Sequence, residues 1–326
     1  MRIELCSRLA HNGLLSLPCH EPNAGWPILI ARPNNRIAVS LIRPNTFAEF
    51  SHPISTYVAP LSGFVGTRAF VGGTAVIIAP GFAITASHVI EEIWAQFGYD
   101  RSAKNIELDI YVNQLNTGAC WYVCHASSWI GTDITVLSLK ARNEQAWSAS
   151  IGRLPIAVDP PPPEANVTAL GYPNTELTIP RNDHNVLEMN FSITPTVSEG
   201  AVIEIHRSFR DTANLRFPCF AVNAEFTAGM SGGAVFDQSR RLCGLVCSGG
   251  KGELKEYSHA VSAWPMAIIP VTVPEGIPPF AGIIPGETYK LLDLARLGYI
   301  QLNGHERIEF FRHENGSDGV RRHHPQ

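Results

Sequence analysis

Charge and long apolar runs are both scarce in this sequence. Charged residues make up 17% of the 326 residues and the formal net charge is -4, so no overall basic field attracts nucleic acid or an anionic membrane. No uninterrupted apolar run approaches the roughly 20 residues that span a bilayer, because Pro80 and Gly81 break the nearest candidate. The composition predicts a globular protein of about two domains with neither nucleic acid nor membrane as a partner.

Two marks of a secreted protein are also missing. The N-terminus has no continuous apolar stretch followed by a small-residue cleavage site, and the seven cysteines are an odd number. We therefore expect reduced thiols in the cytoplasm rather than a disulfide framework. Two pairs have Cys-x3-Cys spacing, Cys120 with Cys124 and Cys243 with Cys247. The second pair lies in a strand-like run, where residues four apart share a face, and we predict no metal site.

The spacing of turn residues divides the chain into β-rich units. From Gly63 onward, short β-branched runs alternate with Gly, Pro and Asn, which predicts many strands and few helices. Pro160 to Pro163 cannot enter a sheet interior and favour an extended crossing. We expect an N-terminal extension that packs on the core (1–62), a first β unit (63–152), a crossing (153–164), a second β unit (165–270) and a C-terminal extension (271–326). Leucine spacing predicts one amphipathic helix in this last extension, before a loose polar tail.

Three short stretches carry candidate catalytic side chains. Ser231 lies among three glycines in EFTAGMSGGAVFD, where missing side chains let backbone N–H groups and a substrate come close. His88 follows two small residues at the end of the predicted strand FAIT, and Asp133 directly precedes the predicted strand ITVLSL. Each alone has a structural explanation, such as a turn or a packed histidine. Together they supply the nucleophile, the base and the orienting carboxylate that serine-based amide hydrolysis requires.

These blocks resemble, in content and order, those of the trypsin-like serine protease superfamily, in particular the stand-alone trypsin-like peptidase domains common in bacteria. GGTAVIIAPGFAITASHVI is similar to the histidine block of that family, TDITVLSL to its aspartate block and GMSGGAVF to its nucleophile block. VTALGYP resembles the strand that opens the second barrel, and GLVCSGG the strand that receives the substrate backbone. The resemblance covers roughly residues 63 to 270. It implies an all-β fold of two antiparallel β-barrels of the chymotrypsin type, with an N-terminal extension and a C-terminal helix.

The resemblance also implies a function and the residues that perform it. The chain is expected to be a serine endopeptidase that hydrolyses peptide bonds through an acyl-enzyme intermediate, without a cofactor. Ser231 is then the nucleophile, His88 the base and Asp133 the group that orients the base. The backbone N–H groups of Gly229 and Ser231 form the implied oxyanion hole, and the implied partner is a protein or peptide substrate.

Fewer sequence features indicate which residues select the substrate side chain. In trypsin-like enzymes the position six before the nucleophile lines the primary pocket, and here it is Glu225. A buried carboxylate at that position selects Lys or Arg, whereas a solvated Glu225, or a pocket filled by Phe226, does not. His259 is a second candidate and favours acidic side chains. The other candidate substrate-binding residues belong to the GLVCSGG strand: Cys247, Ser248 and Gly249.

Two departures from the family pattern concern control and support of the site. Met230 replaces the acidic residue that, in secreted relatives, pairs with the newly cut N-terminus. That activation switch is therefore absent. The enzyme is expected either to be active without proteolytic activation or to be controlled by a partner protein or by its own extensions. Cys247 replaces a serine that bonds the catalytic aspartate in many relatives, so weaker support for Asp133 is expected.

Two other functions stay open from the sequence. A trypsin-like fold kept as a silent binding or regulatory module requires no triad, so the intact His-Asp-Ser set argues against it. The pattern G-x-S-x-G also matches the nucleophile elbow of α/β-hydrolase esterases. That motif needs a helix after the serine, whereas the residues after Ser231 have the pattern of two strands around a polar turn.

Overall fold

The structure, a computed structural model, describes a chain built mainly of β-strands. The described residues are 14–18, 37–42, 56–65, 68–98, 109–114, 118–129, 131–143, 145–146, 151–178, 187–192, 195–248, 257–312 and 318–323. Two six-stranded antiparallel barrels form the body, and helix is sparse. The predicted all-β, two-barrel fold is therefore confirmed.

Neighbouring strands of the first barrel pair in the order β7-β6-β3-β4-β5-β8, and β8 closes the ring on β7. These strands are β3 (Val58–Val65), β4 (Arg68–Ala79), β5 (Phe82–Ala86), β6 (Asp109–Gln114), β7 (Ala119–Trp129) and β8 (Ile134–Ala141). Between β5 and β6 lies helix α1 (Ser87–Gln96), and β1 (Leu14–Pro18) pairs with the C-terminal part of β7, beyond the residues that pair with β6. The barrel begins at Val58 instead of Gly63, because β3 is a continuous buried strand across the boundary we had placed there.

The second barrel is closed in the same way, in the order β15-β10-β13-β14-β17-β16 with β15 paired to β16. Its strands are β10 (Asn166–Gly171), β13 (Thr196–His206), β14 (Cys219–Val222), β15 (Ala234–Asp237), β16 (Leu242–Ser248) and β17 (Ser258–Ser262). The short strand β9 (Ile156–Ala157), from the crossing, adds to β16 in parallel. A separate small sheet consists of β11 (Glu176–Thr178), β12 (Leu187–Ser192) and β2 (Ile37–Ile42).

The apolar runs of the sequence are explained by strands that are buried on both faces. In β4, Ala75 and Ile77 belong to the interior of the first barrel, whereas Val76 and Ile78 face the core shared by the two barrels. Successive side chains of a strand point to opposite faces, so a strand covered on both sides is apolar throughout. This is why TAVIIA shows no polar alternation although it is a strand.

The C-terminal extension is folded against the barrels. It contains β18 (Pro270–Thr272), β19 (Thr288–Lys290), helix α2 (Leu291–Arg296), β20 (Leu302–Asn303), β21 (Ile308–Arg312) and β22 (Asp318–Arg322). Helix α2 lies in the segment whose leucine spacing predicted it, but it is only six residues long. Within the described residues, none of the helices has the length and apolarity needed to cross a membrane.

The prediction of a loose polar tail is wrong for the residues of β22. This strand pairs with β21, with Val320 opposite Phe310. Arg322 anchors it to the crossing, because its guanidinium donates to the Val158 carbonyl at 2.8 Å and lies 3.2 Å from the Asp159 carboxylate. A buried charge is stable only when it is paired and hydrogen-bonded, and long-range partners of this kind leave no local pattern in the sequence.

We expect Arg322→Ala to lower the free energy of unfolding by about 2–3 kcal/mol, because it leaves the Val158 carbonyl and the Asp159 carboxylate without this donor. Arg321→Ala is the matched control. Arg321 lies on the same strand, but its side chain is 58% exposed against 7% for Arg322, so a loss below about 1 kcal/mol is expected. Chemical denaturation measures both variants, and equal losses would contradict the anchoring role.

Candidate active site

The first barrel brings a histidine and an aspartate together at neighbouring strand ends. Ala86 and Ile134 are opposite each other in the β5–β8 ladder, so the residues just beyond β5 meet those just before β8. The Ser87 N–H donates to the Asp133 carbonyl at 3.1 Å, and the His88 N–H donates to Asp133 Oδ1 at 3.1 Å. His88 Nδ1 lies 2.7 Å from Asp133 Oδ2. A proton on Nδ1 fits this contact and leaves Nε2 as the base.

The environment of His88 changes its proton affinity in two opposing directions. Burial lowers the pKa of His88, whereas the hydrogen bond to Asp133 and the negative charges of Asp133, Glu92 and Glu91 raise it. The net result is a pKa above the ordinary value of 6.5. The carboxylate therefore stabilises the protonated imidazole, which a base in acyl transfer must become.

Support for Asp133 comes from the main chain of α1 and not from the thiol of Cys247. The buried Cys247 Sγ donates to the His259 carbonyl at 3.2 Å. Burial, and next to it the charge of Asp133, hold the pKa of the Cys247 thiol well above its usual value. Within the described residues the Asp133 carboxylate bonds to the ring and to the backbone N–H of His88.

Ser231 lies in the loop between β14 and β15, after a tight turn. The Met230 N–H donates to the Thr227 carbonyl at 3.1 Å, and Gly229 between them has a φ of 90°. A positive φ at the third residue is the mark of a type II turn, which favours glycine. Within the described residues the N–H groups of Gly229 and Ser231 make no hydrogen bond. Two backbone donors therefore flank Met230 without an acceptor among the described residues.

The glycine after Ser231 lets the two barrels touch through their backbones. Gly232 has a φ of 76°, and a Cβ on it would lie 2.2 Å from the Thr74 carbonyl oxygen and 3.1 Å from the Ala86 nitrogen. The Gly232 N–H donates to the Val246 carbonyl at 2.9 Å. The Ser231 loop therefore packs against the end of β5, two residues before His88.

A comparison with protein families agrees with this architecture. The model of the trypsin-like peptidase domain matches residues 73–245, which is more than half of the chain. The chain belongs to the trypsin-like peptidase family. It is accordingly a trypsin-like serine protease. No esterase of the α/β-hydrolase class fits, because strand β15 and not a helix follows the Gly232–Gly233 pair.

Solved structures similar to this peptidase include three proteases, each 17% identical to it. The Rv3671c protease from M. tuberculosis in its active form has a TM-score of 0.43, with 75% of this chain and 89% of that chain covered. The HtrA-type protease AlgW with a decapeptide has a TM-score of 0.43 and coverage of 64% and 61%. The MamO protease domain from Magnetospirillum magneticum has a TM-score of 0.43 and coverage of 65% and 94%. A comparison with curated proteins gave no match.

In this peptidase an apolar side chain anchors the loop before the serine. Met230 is fully buried and belongs to the apolar core of the second barrel. A Cβ on Gly171, at the end of β10, would lie 2.9 Å from the Met230 Cα. The backbone on both sides of Ser231 is therefore held by close packing, without an ion pair at position 230.

The candidate specificity residues fall into different environments. Glu225 is exposed, so it is not the buried carboxylate that selection for Lys or Arg requires. Phe226 is buried instead and its N–H donates to Ser258 Oγ at 3.0 Å. His259 is 6% exposed and its Nδ1 lies 3.4 Å from Ser248 Oγ. Gly249 lies outside the described residues.

Two threonines at the barrel interface were not predicted as site residues. The Thr74 N–H donates to the Ser231 carbonyl at 2.9 Å, and Thr85 Oγ1 donates to the Thr74 carbonyl at 2.7 Å. The available signal was a hydroxyl side chain within each apolar strand run, GGTAVI and FAITA. A buried hydroxyl needs a hydrogen-bond partner, but the identity of that partner depends on the other barrel.

We expect Asp133→Asn to lower the pKa of His88, because the substitution removes the negative charge and replaces the carboxylate with a weaker, neutral acceptor, while burial still lowers the pKa. NMR titration of the His88 ring measures the change. Glu92→Gln, which removes a charge without a hydrogen bond to the ring, is the control with a smaller fall. An unchanged His88 pKa in Asp133→Asn would contradict the pairing.

The raised pKa of His88 also fixes the sign of its pH effect on stability. Its contribution to folding is complete below the unfolded-state pKa, about 6.5, and disappears as the pH rises through the higher folded-state pKa. In unfolding experiments across this pH window, we expect the free energy of unfolding of the parent protein to fall as the pH rises. In Asp133→Asn this fall is expected to be smaller, because the pairing that raises the pKa of His88 is weakened.

Proposed function

We propose that Ser231, His88 and Asp133 form a catalytic triad that cleaves peptide bonds through an acyl-enzyme. The observation that carries the proposal is the 2.7 Å contact between His88 Nδ1 and Asp133 Oδ2, at the strand end against which the Ser231 loop packs. In this proposal the start of α1 supplies the base, the turn before β8 the orienting carboxylate and the loop before β15 the nucleophile.

In the proposed reaction, Ser231 Oγ attacks the substrate carbonyl while His88 Nε2 accepts the hydroxyl proton. His88 then gives this proton to the leaving amine, and water attacks the acyl-enzyme with His88 again as base. Asp133 keeps Nδ1 protonated and stabilises the imidazolium. The N–H groups of Gly229 and Ser231 bind the oxyanion, with about 10²–10³ in rate for each donor.

The buried Met230 supports a site that is competent without proteolytic activation. Burial of Met230 in the core of the second barrel and its close contact with Gly171 fix the loop before the serine, and this packing does not depend on a newly formed charged N-terminus. We therefore place activity without proteolytic activation ahead of control by a partner protein.

We expect freshly purified protein and protein treated with an activating protease to have equal specific activity. Strong activation by the protease would contradict this proposal.

A reducing compartment, such as the cytoplasm, is part of the proposal. The five described cysteines, at 120, 124, 219, 243 and 247, are free and buried. At least five titratable thiols are expected in denatured, unreduced protein, and fewer would contradict this location.

Two histidines of the second barrel support a proposal about the substrate side chain before the scissile bond. Gly232 is bonded to Val246, one residue before Cys247 in β16, and Ser248 of that strand is opposite His259 in β17. His259 is therefore close to the nucleophile loop, and its ring lies 6.3 Å from the ring of His206. An imidazole N–H can donate a hydrogen bond to a carboxylate, so we propose a preference for an acidic side chain before the scissile bond.

A serine-reactive phosphonate probe tests the triad. We expect the probe to label Ser231 in the parent protein and to leave Ser231→Ala and His88→Ala unlabelled. Casein hydrolysis is expected to be lost in Ser231→Ala and to fall about 10⁴-fold in kcat in Asp133→Asn. Ser62→Ala, in the first barrel, is the control that retains activity. Parent-level hydrolysis by Ser231→Ala would contradict the proposal.

Peptides that differ only in Glu, Leu or Arg before the scissile bond test the substrate class. The Glu peptide is expected to have the highest kcat/KM, and His259→Gln is expected to reduce its advantage over the Leu peptide about tenfold, the size of one lost hydrogen bond. Glu225→Gln is the control that leaves the order unchanged. A preference for the Arg peptide that Glu225→Gln abolishes would overturn the assignment.

A further inference from the structure

One threonine of the first barrel contacts both the nucleophile loop and the strand that opens the second barrel. Thr74 is fully buried in β4. Its N–H donates to the Ser231 carbonyl at 2.9 Å, and its Oγ1 accepts a hydrogen bond from the Tyr172 N–H at 3.0 Å. Its carbonyl accepts from Thr85 Oγ1 at 2.7 Å. We call these three hydrogen bonds the Thr74 bridge.

The bridge forms where the ladder of the first barrel opens. Pairing of β4 with β5 ends at Val76 opposite Ile84. At Thr74, therefore, the edge of β4 that faces β5 has no strand partner, while the other edge still pairs with β3. A residue's N–H and C=O point to the same side of a strand, and both groups of Thr74 are satisfied on this open side. The Ser231 carbonyl and the Thr85 hydroxyl take the place of the missing strand.

The hydroxyl of Thr74 acts through Tyr172 on the turn before the serine. Gly171 precedes Tyr172, and a Cβ on it would lie 2.9 Å from the Met230 Cα. Pro173 follows Tyr172, and its Cα lies 3.0 Å from the position of a Cβ on Gly229. The backbone on either side of Tyr172 therefore packs against both residues that precede Ser231.

Close contacts leave this junction little freedom to shift. A Cβ on Gly73 would lie 2.7 Å from the Ser231 carbonyl oxygen, and one on Gly232 would lie 2.3 Å from Thr85 Oγ1. Thr85 precedes His88 by three residues in β5 and α1. The bridge thus connects the part of the first barrel that holds the imidazole to the part of the second that holds the hydroxyl.

From these contacts we infer that Thr74 is a positioning residue for the triad. Its backbone N–H fixes Ser231 relative to His88, and its hydroxyl fixes the Gly229–Met230 turn through Tyr172. The inference rests on the proposed function only for its effect on catalysis. A misplacement of about 1 Å costs roughly 10²-fold in rate, so a buried hydroxyl that touches no substrate has a large effect on kcat.

Thr74→Val and Thr74→Ser separate the hydroxyl from the shape of the side chain. Valine keeps the volume but leaves the buried Tyr172 N–H without an acceptor, and we expect kcat to fall about 10- to 100-fold with KM changed less than about twofold. Serine keeps the acceptor and is expected to restore kcat to within about threefold of the parent. Phosphonate labelling of Ser231 is expected to slow in Thr74→Val in parallel with kcat.

Ser62→Ala is the matched control. Ser62 is also fully buried in the first barrel, and its Oγ accepts a hydrogen bond from Asn113 Nδ2 at 2.9 Å. The substitution removes one buried acceptor without touching the second barrel, so kcat is expected to stay within about twofold. An equal fall of kcat in Ser62→Ala and Thr74→Val would overturn the inference, as would a Thr74→Ser variant no better than Thr74→Val.

Amide hydrogen exchange tests the bridge without relying on activity. In Thr74→Val the amides of Tyr172 and Gly232 are expected to exchange at least about tenfold faster than in the parent, and in Ser62→Ala they are expected to be unchanged. If the parent protein neither reacts with the phosphonate probe nor hydrolyses casein, the proposed function fails. The amide exchange rates then decide by themselves whether the Thr74 bridge holds the two barrels together. Unchanged exchange at Tyr172 in Thr74→Val would overturn it.

Discussion

The site depends on a contact between two backbones, the hydrogen bond from the Thr74 N–H to the Ser231 carbonyl. The imidazole and carboxylate belong to one barrel and the hydroxyl to the other, so their relative positions are set by how the barrels pack. Backbone contact is less variable than contact between long side chains, because it has no rotamers to lose. The glycines at 73 and 232 make the contact close enough, since a Cβ at either would overlap the opposite backbone.

A second constraint is the satisfaction of charge inside the first barrel. The Asp133 carboxylate is 12% exposed and is held by the His88 ring and the His88 N–H. The start of α1 therefore supplies both the imidazole and part of the support for the carboxylate. Because Asp133 is bonded in this way, the thiol of Cys247 donates instead to the carbonyl of His259. His259 lies in β17 and is the residue proposed to contact the substrate side chain.

Parts of the site were predictable because their signals are local. Glycines around one serine, a histidine after small residues at a strand end and an aspartate before a strand are each visible within a few residues. The β-rich units were predictable from short β-branched runs and the proline-rich crossing, whereas the two-barrel fold was implied by the resemblance of the motif blocks to those of trypsin-like proteases. Long-range pairing was not, since β22 and its partner Asp159 are far apart in the chain and the tail has the composition of a loose polar segment.

The sequence by itself determined the chemical groups, their order along the chain and the β-rich units that carry them, because these follow from residue types and short-range periodicity. Only the tertiary structure decided that Glu225 is exposed while Phe226 is buried, and that Thr74 joins the Ser231 loop to the first barrel. Burial and hydrogen-bond partners of this kind depend on which distant segment covers a residue. That choice is made by the packing of the whole chain, so a short stretch of sequence does not contain it.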